Sequence, residues 1–181
     1  PASQTITFAN PGAQTFTPGG TVALTASASS GLTVALASTT ATVCTVSGST
    51  VTFVSAGSCS ITASQAGNAN YAAATNVVQA FAIGQASQTI TFAALTNQVF
   101  GSTPPALSAT ASSGLTVSFA STTASVCTVS GTAVTLVSTG TCTIRASQAG
   151  NANYTAAANV DRSFQVTIAS QTITFANPGA Q

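Results

Sequence analysis

Apolar residues fall on every second position of this chain in short runs, and clusters of Gly, Pro, Ser and Asn separate the runs. In the first half the alternations are Ile6/Phe8, Val22/Leu24/Ala26, Leu32/Val34/Leu36, Cys44/Val46, Val51/Phe53, Cys59/Ile61/Ala63 and Val77/Phe81/Ile83. The second half keeps the parity with Leu115/Val117/Phe119, Cys127/Val129, Val134/Leu136, Cys142/Ile144 and Val160/Phe164/Val166. A period of two turns one side of each run toward a core and the other toward water, which marks a strand. No segment sustains a helical period. About seven short strands per half predict an all-β chain of tandem immunoglobulin-like antiparallel β-sandwiches.

The runs belong to a repeat. SQTITF opens at Ser3, Ser87 and Ser170, ASSGLTV occupies 28–34 and 111–117, VCTVSG 43–48 and 126–131, and SQAGNANY 64–71 and 147–154. Self-similarity at fixed period indicates repeated units arranged along one axis. The expected division is repeat 1 over 1–86, repeat 2 over 87–169, and the first strand of a third repeat over 170–181. Residues 170–181 match 3–14 letter for letter, whereas the second unit reads SQTITFAALTNQ. Two readings follow: a two-domain super-repeat, or two diverged units that alternate by chance. The second unit is one residue shorter between Phe100 and Leu107 than the first is between Phe16 and Leu24, at a Pro/Gly turn where length changes are tolerated.

The junctions carry a further expectation. Apolar parity flips between Phe81/Ile83 and Ile90/Phe92, and again between Phe164/Val166/Ile168 and Ile173/Phe175, with GQAS or AS in between. Without a Gly/Ser-rich or Pro-rich tether, this predicts a nearly continuous strand with a bulge or tight bend. The expected product is a stiff rod that each unit lengthens by roughly 35–40 Å.

Cysteines recur at matched places, Cys44 and Cys59 in one unit and Cys127 and Cys142 in the other. Pairing within each unit keeps that unit self-contained, and parity turns all four thiols inward. A bridge would then join the strand before the SGS hairpin (47–49) to the strand after it, unlike the long-range bridge of antibody domains. Bridges of this kind imply an oxidising, extracellular setting. The competing reading is buried free thiols. Zinc is disfavoured, because the chain has no His and no CxxC spacing.

Composition narrows the chemistry. Charged residues are 2% of the chain, namely Arg145, Asp161 and Arg162, and there is no Lys, Glu or His. Acid–base or nucleophilic catalysis needs a titratable partner that this inventory cannot supply, so no enzyme, catalytic residue, cofactor or metal is expected. Calcium sites need several carboxylates, and a Lys–Asn crosslink needs a lysine. No basic patch exists for nucleic acid. Hydrophobic residues reach 45%, yet Ser, Thr, Gln and Asn interrupt every stretch before the roughly 18–20 residues of a spanning helix. Two surfaces fit such a composition: an inert Ser/Thr-coated rod, or a chain that sits beside copies of itself in a filament or surface layer.

The segments STTATVCTVSGSTVTFVSAGSCSITAS (38–64) and STTASVCTVSGTAVTLVSTGTCTIRAS (121–147) resemble bacterial immunoglobulin-like tandem repeats of large secreted or surface-anchored, adhesin-like proteins. The SQAGNANY phrase and the Val-rich last strand extend the resemblance over essentially the whole chain. The cysteine pair departs from many members of that broader family. The resemblance implies an extracellular or bacterial cell-surface location and a role as spacer or scaffold, with no catalytic residue to carry over.

Candidate contact residues are few. Tyr71 and Tyr154 in GNANY are read as packed aromatic rings with the hydroxyl bonded to a loop, or alternatively as a sugar-binding surface. Arg145 and Asp161 are placed to pair across adjacent strands, and Arg162 stands beside them. Asn153-Tyr154-Thr155 matches the N-glycan acceptor pattern, and Ser/Thr-dense loops are candidates for O-glycans. The expected partner is the protein itself, through adjacent repeats or through strand addition by 170–181 to a neighbouring chain. Ligands on glycans or cells would be engaged by other parts of a longer parent. The rival reading is a carbohydrate- or partner-binding adhesion module that uses the GNANY loops.

Overall fold

The computed structural model describes residues 1–175 and 179. They form two compact units. Unit 1 is Pro1–Ser87 together with Gly150–Ala156, and unit 2 is Gln88–Ala149 together with the described residues from Ala157 onward.

Unit 1 contains nine strands: β1 (Ile6–Phe8), β2 (Gln14–Thr15), β3 (Thr21–Ala23), β4 (Ala26–Ala28), β5 (Ala35–Ser38), β6 (Cys44–Ser47), β7 (Thr50–Phe53), β8 (Gly57–Ser64) and β9 (Val77–Gly84). One sheet has the order β2-β9-β8-β5, and the facing layer consists of β3-β7-β6 with the pair β1-β4. All pairings are antiparallel except β2 on β9, where Gln14 stands beside Ile83. The alternation on β8 shows why this segment is a strand: Cys59, Ile61 and Ala63 are buried, with more exposed residues between them. Phe8, Phe16, Leu24, Val51, Phe53, Phe81 and Ile83 complete the core. Gly48, at φ +58°, lies in the turn between β6 and β7, a conformation that a side chain would resist.

Unit 2 contains β10 (Ile90–Phe92), β11 (Gln98–Val99), β12 (Ala109–Ala111), β13 (Ser118–Ser121), β14 (Cys127–Ser130), β15 (Ala133–Leu136), β16 (Gly140–Ser147) and β17 (Val160–Thr167). Its sheet order β11-β17-β16-β13 reproduces that of unit 1. Ile90, Phe92, Leu107, Ile144, Ala146, Phe164 and Val166 fill the core. The fold is two tandem immunoglobulin-like sandwiches.

Three strand expectations need correction. The run Val22/Leu24/Ala26 is two strands, because the chain changes partner along it: Val22 pairs with Val51 on β7 and the N–H of Leu24 still bonds Ser49 O at 2.7 Å, whereas Ala26 pairs with Phe8 on β1. Leu32 and Val34 precede β5 rather than belonging to it, and Leu115 and Val117 likewise precede β13. The two-residue strands β2 and β11 were invisible to alternation, which needs more than two positions to register. Unit 2 has no counterpart of β3. Pro104 and Pro105 stand where Thr21 and Val22 stand in unit 1, and without N–H groups they cannot donate to a ladder.

Of the expected third-repeat strand over 170–181, residues 176–178, 180 and 181 lie outside the described residues. Residues 170–175 form no strand, and Ile173 and Phe175 are 93% and 87% exposed. The same phrase is a strand at β1 and β10 because β4 and β12 pair with it there.

Candidate functional site

The disulfides are the first structural device. Cys44 opens β6 and Cys59 sits on β8, each at an inward position, and their sulfurs are bonded; Cys127 and Cys142 pair in the same way. All four cysteines are fully buried. Because β6 and β8 lie in opposite layers, each bridge crosses its sandwich. Thus a bridge of short sequence separation does the same inter-sheet job as the long-range bridge with which the sequence reading contrasted it. Hydroxyls line one flank: Ser38 Oγ is 3.4 Å and Thr40 Oγ1 3.5 Å from Cys44 Sγ, with Ser121 and Thr123 in the same places around Cys127. Thr40 Oγ1 also accepts the N–H of Ser60 at 2.9 Å, so the STT phrase ties the β5–β6 connection to β8.

A second device was not singled out by the sequence reading. Gln4 is buried, and its amide donates to Gln65 Oε1 at 2.9 Å and to Ala72 O at 2.7 Å, while Ser30 Oγ donates to Gln4 Oε1. Gln65 in turn accepts the N–H of Gly67 and donates to Thr33 O at 3.3 Å. Three repeated phrases, SQTITF, SSG and SQAGN, are therefore one hydrogen-bonded unit. In unit 2 the set recurs, with Gln88 donating to Gln148 Oε1 at 2.8 Å and Ser113 Oγ donating to Gln88. The signal available in the sequence was the co-repetition of these polar residues.

The GNANY loops form the third device. Asn68 Oδ1 accepts the N–H groups of Asn70 and Tyr71 at 2.8 and 3.0 Å, and the N–H of Asn68 donates to Tyr71 O at 2.9 Å. Asn151 does the same for Asn153 and Tyr154, with the same three distances. Each loop then pairs with the residue before an SQTITF phrase: Ala2 bonds Asn70 and Ala72, and Ala86 bonds Asn153 and Thr155. Within unit 1, the Tyr154 ring stands edge-on to Phe16, with centroids 5.9 Å apart and planes at 89°. Asn153 Oδ1 accepts the N–H of Ala56 at 2.8 Å. Neither tyrosine hydroxyl makes a hydrogen bond among the described residues, where the sequence led us to expect one to a loop; the asparagine side chains of Asn68 and Asn151 hold the loop turns.

The charged residues lie on β16 and β17. Arg145 and Asp161 face each other in register and form a bidentate pair, Nε to Oδ1 and Nη2 to Oδ2, both 2.9 Å. The hydrogen bond from Arg145, aided by its charge, holds the Asp161 carboxyl below the usual range; the same bond raises Arg145. Arg162 donates from Nε to Phe92 O at 2.9 Å, tying β17 to β10. Among the described residues no group of three His, Cys, Asp or Glu is placed to hold a metal, no cysteine is free, and no helix is long and apolar enough to cross a membrane.

No family model matches the chain, and no curated relative does. Solved structures of similar architecture include mouse cadherin-23 EC22-24, with 11% identity over 92% of this chain and 65% of that one, at a TM-score of 0.37. Mouse protocadherin-24 EC1-3 has 9% identity over 91% and 70%, also at 0.37. Domains 1-6 of the surface layer protein SbsC have 14% identity over 93% and 28%, at 0.35. The chain thus spans less than two thirds of the cadherin-23 fragment and just over a quarter of the surface-layer fragment. The sandwich assignment rests on the strand order and the register given above.

Proposed function

We propose that the chain is a non-catalytic structural segment of a long extracellular repeat protein, built as a stiff rod, stalk or fibre from disulfide-closed sandwiches. The carrying observation is that both units spend their few buried polar groups identically, on a glutamine clamp and an inter-sheet bridge. Those groups hold the fold together, and among the described residues they leave no titratable cluster for chemistry. Buried disulfides suit an oxidising compartment, in line with an extracellular and bacterial cell-surface location. The domain division at 86/87 and 169/170 and the short junctions belong to the same reading.

Self-assembly through strand addition by 170–181 is part of this proposal. It has a defined cost, since the seat opposite β4 is filled by β1 and the seat opposite β12 by β10. An incoming SQTITF strand must displace one of them. Small-angle X-ray scattering on the purified chain tests the rod: an elongated particle about 70–80 Å long is expected from strand rise and length. A distribution of bent shapes would remove stiffness from the proposal.

A further inference from the structure

Both units leave the same edge of the sandwich open. β5 is the edge strand of the sheet β2-β9-β8-β5, and β13 is the edge strand of β11-β17-β16-β13. The N–H of Thr39 donates to Ser60 O and continues the β5–β8 register, so Ala35 and Ala37 turn their backbone groups toward β8. Val34, Leu36 and Ser38 turn theirs outward, and those N–H and C=O groups have no partner among the described residues. In unit 2 the N–H of Thr122 donates to Thr143 O, which turns Val117, Phe119 and Ser121 outward in the same way. The edge of unit 1 stays unpaired although a complete second unit follows it in the chain.

An apolar cleft runs beside each edge. In unit 1 it measures about 470 Å³, with Leu24, Ala26, Val34, Leu36, Gly48 and Ser49 on its walls. Its counterpart in unit 2 measures about 450 Å³, with Leu107, Ala109, Val117 and Phe119 on its walls. Leu36 and Phe119 stand at core parity yet are only half-buried. No charged residue lines either cleft or stands on β5 or β13, and neither strand carries a proline. Those are the residues with which sheets ordinarily blunt a free edge. An uncharged strand therefore fits each edge by main-chain hydrogen bonding, with its inward side chains over the cleft.

We infer that β5 of one copy pairs antiparallel with β5 of a second copy, centred on Leu36, and that β13 pairs likewise, centred on Phe119. The register is self-complementary. Leu36 meets its own counterpart and Val34 meets Ser38, so every outward N–H and C=O finds a partner. On the exposed face Ala35 stands opposite Ala37, and these small uncharged side chains neither clash nor repel. On the inner face the two leucines meet and close both clefts into one apolar layer, which removes that surface from water. A patch that pairs with itself is isologous, so each edge joins two copies and no more. The inference rests on the reading of this protein as part of an extended assembly, and it names the lateral contact within it. Strand addition by 170–181 plays no part in that contact.

Sedimentation velocity on the whole chain tests the contact. Ala35→Lys/Ala37→Lys sets ammonium groups opposite each other at the β5 edge, and Ser118→Lys/Ala120→Lys does so at the β13 edge. All four side chains are exposed, so the melting temperature should stay unchanged. Either pair of changes leaves one edge and should stop association at a dimer. All four together should give a monomer, with association weakened at least about tenfold. High salt should restore part of that association and should change the unaltered chain little, because only the variant carries charge at its edges. Ala80→Lys, on the exposed face of the central strand β9, should leave association unchanged. Cysteine trapping reads the register, since the native cysteines are already bonded. A mixture of Ala35→Cys and Ala37→Cys proteins should cross-link faster under mild oxidation than either protein alone. Association indifferent to the four lysine changes, or a mixture that cross-links no faster, overturns the inference. A chain that stays monomeric at about 1 mM assigns the clefts to another occupant and also overturns it. An elongated monomer in scattering would then leave the rod reading standing, whereas a strongly bent one would remove both.

Discussion

The side-chain amide of Gln4 donates to the side-chain carbonyl of Gln65, 2.9 Å away and 61 positions later. That contact locks the first strand of the sandwich to the loop leading into its last strand. The second amide hydrogen goes to Ala72 O at 2.7 Å, and the oxygen accepts Ser30. Gln4→Ala would leave the Ala72 carbonyl and the Ser30 hydroxyl without the partner that the buried Gln4 side chain supplies. A loss of about 2–3 kcal/mol in unfolding free energy is expected, read by urea denaturation. Gln4→Glu should cost at least as much at neutral pH, because a carboxylate places acceptor against acceptor at both Gln65 and Ala72. Gln88→Ala should reproduce the effect in unit 2, since it holds Gln148 in the same way. A loss under about 0.5 kcal/mol would mean that the clamp is dispensable.

Each bridge closes a loop of 15-residue separation between opposite layers. Replacing Cys44 and Cys59 together by alanine should lower stability by about 2–4 kcal/mol, and likewise for Cys127 and Cys142. Because the sulfurs are fully buried, a thiol reductant must wait for the unit to open. Reduction under native conditions, followed by thiol labelling, should therefore be slow and should accelerate in step with urea-induced unfolding. Rapid reduction in water would show that the bridges open locally.

The inward cysteines and the hairpin at Gly48 were legible in the sequence, because alternation and turn chemistry are local signals. Gln4 and Asn153 were not. A polar letter in a chain crowded with Ser, Thr, Gln and Asn does not stand out, and its burial depends on a partner far along the chain. Asn153 meets Ala56 across 97 positions, which no local period can register. The missing β3 partner in unit 2 was half legible. Pro104-Pro105 read as a turn, whereas the structural consequence is a ladder that stops at β15.

Gly67 and Gly150 should be the least replaceable glycines. Both have φ near +80°, and a Cβ on either would stand 2.3 Å from the backbone oxygen of Tyr71 or Tyr154. Gly31 has a similar φ of +76° but open space around it. Gly31→Ala should cost about 1 kcal/mol from backbone strain alone, and Gly67→Ala at least about 2 kcal/mol because the loop backbone must also move. Thermal denaturation of the two variants checks the order. Equal losses would show that strain, rather than the close approach, decides.

Stability should be nearly flat from about pH 5 to pH 9, because the chain has no His, Lys or Glu and its cysteines are bonded. Asp161 is the side-chain carboxylate that can change this. Its folded-state value lies below the ordinary one, chiefly through the hydrogen bond from Arg145. The folded state therefore holds this proton less tightly than the unfolded chain. The contribution is present above the unfolded carboxylate range, about pH 4, and is lost as pH falls through the folded value. Both side chains are solvent-exposed, so screening keeps the effect small. Melting temperature should stay constant to about pH 5 and dip slightly below it, and the dip due to this pair should vanish in Asp161→Asn. A transition near neutral pH, or a large acid dip that survives Asp161→Asn, would place the pH-sensitive element somewhere other than this pair.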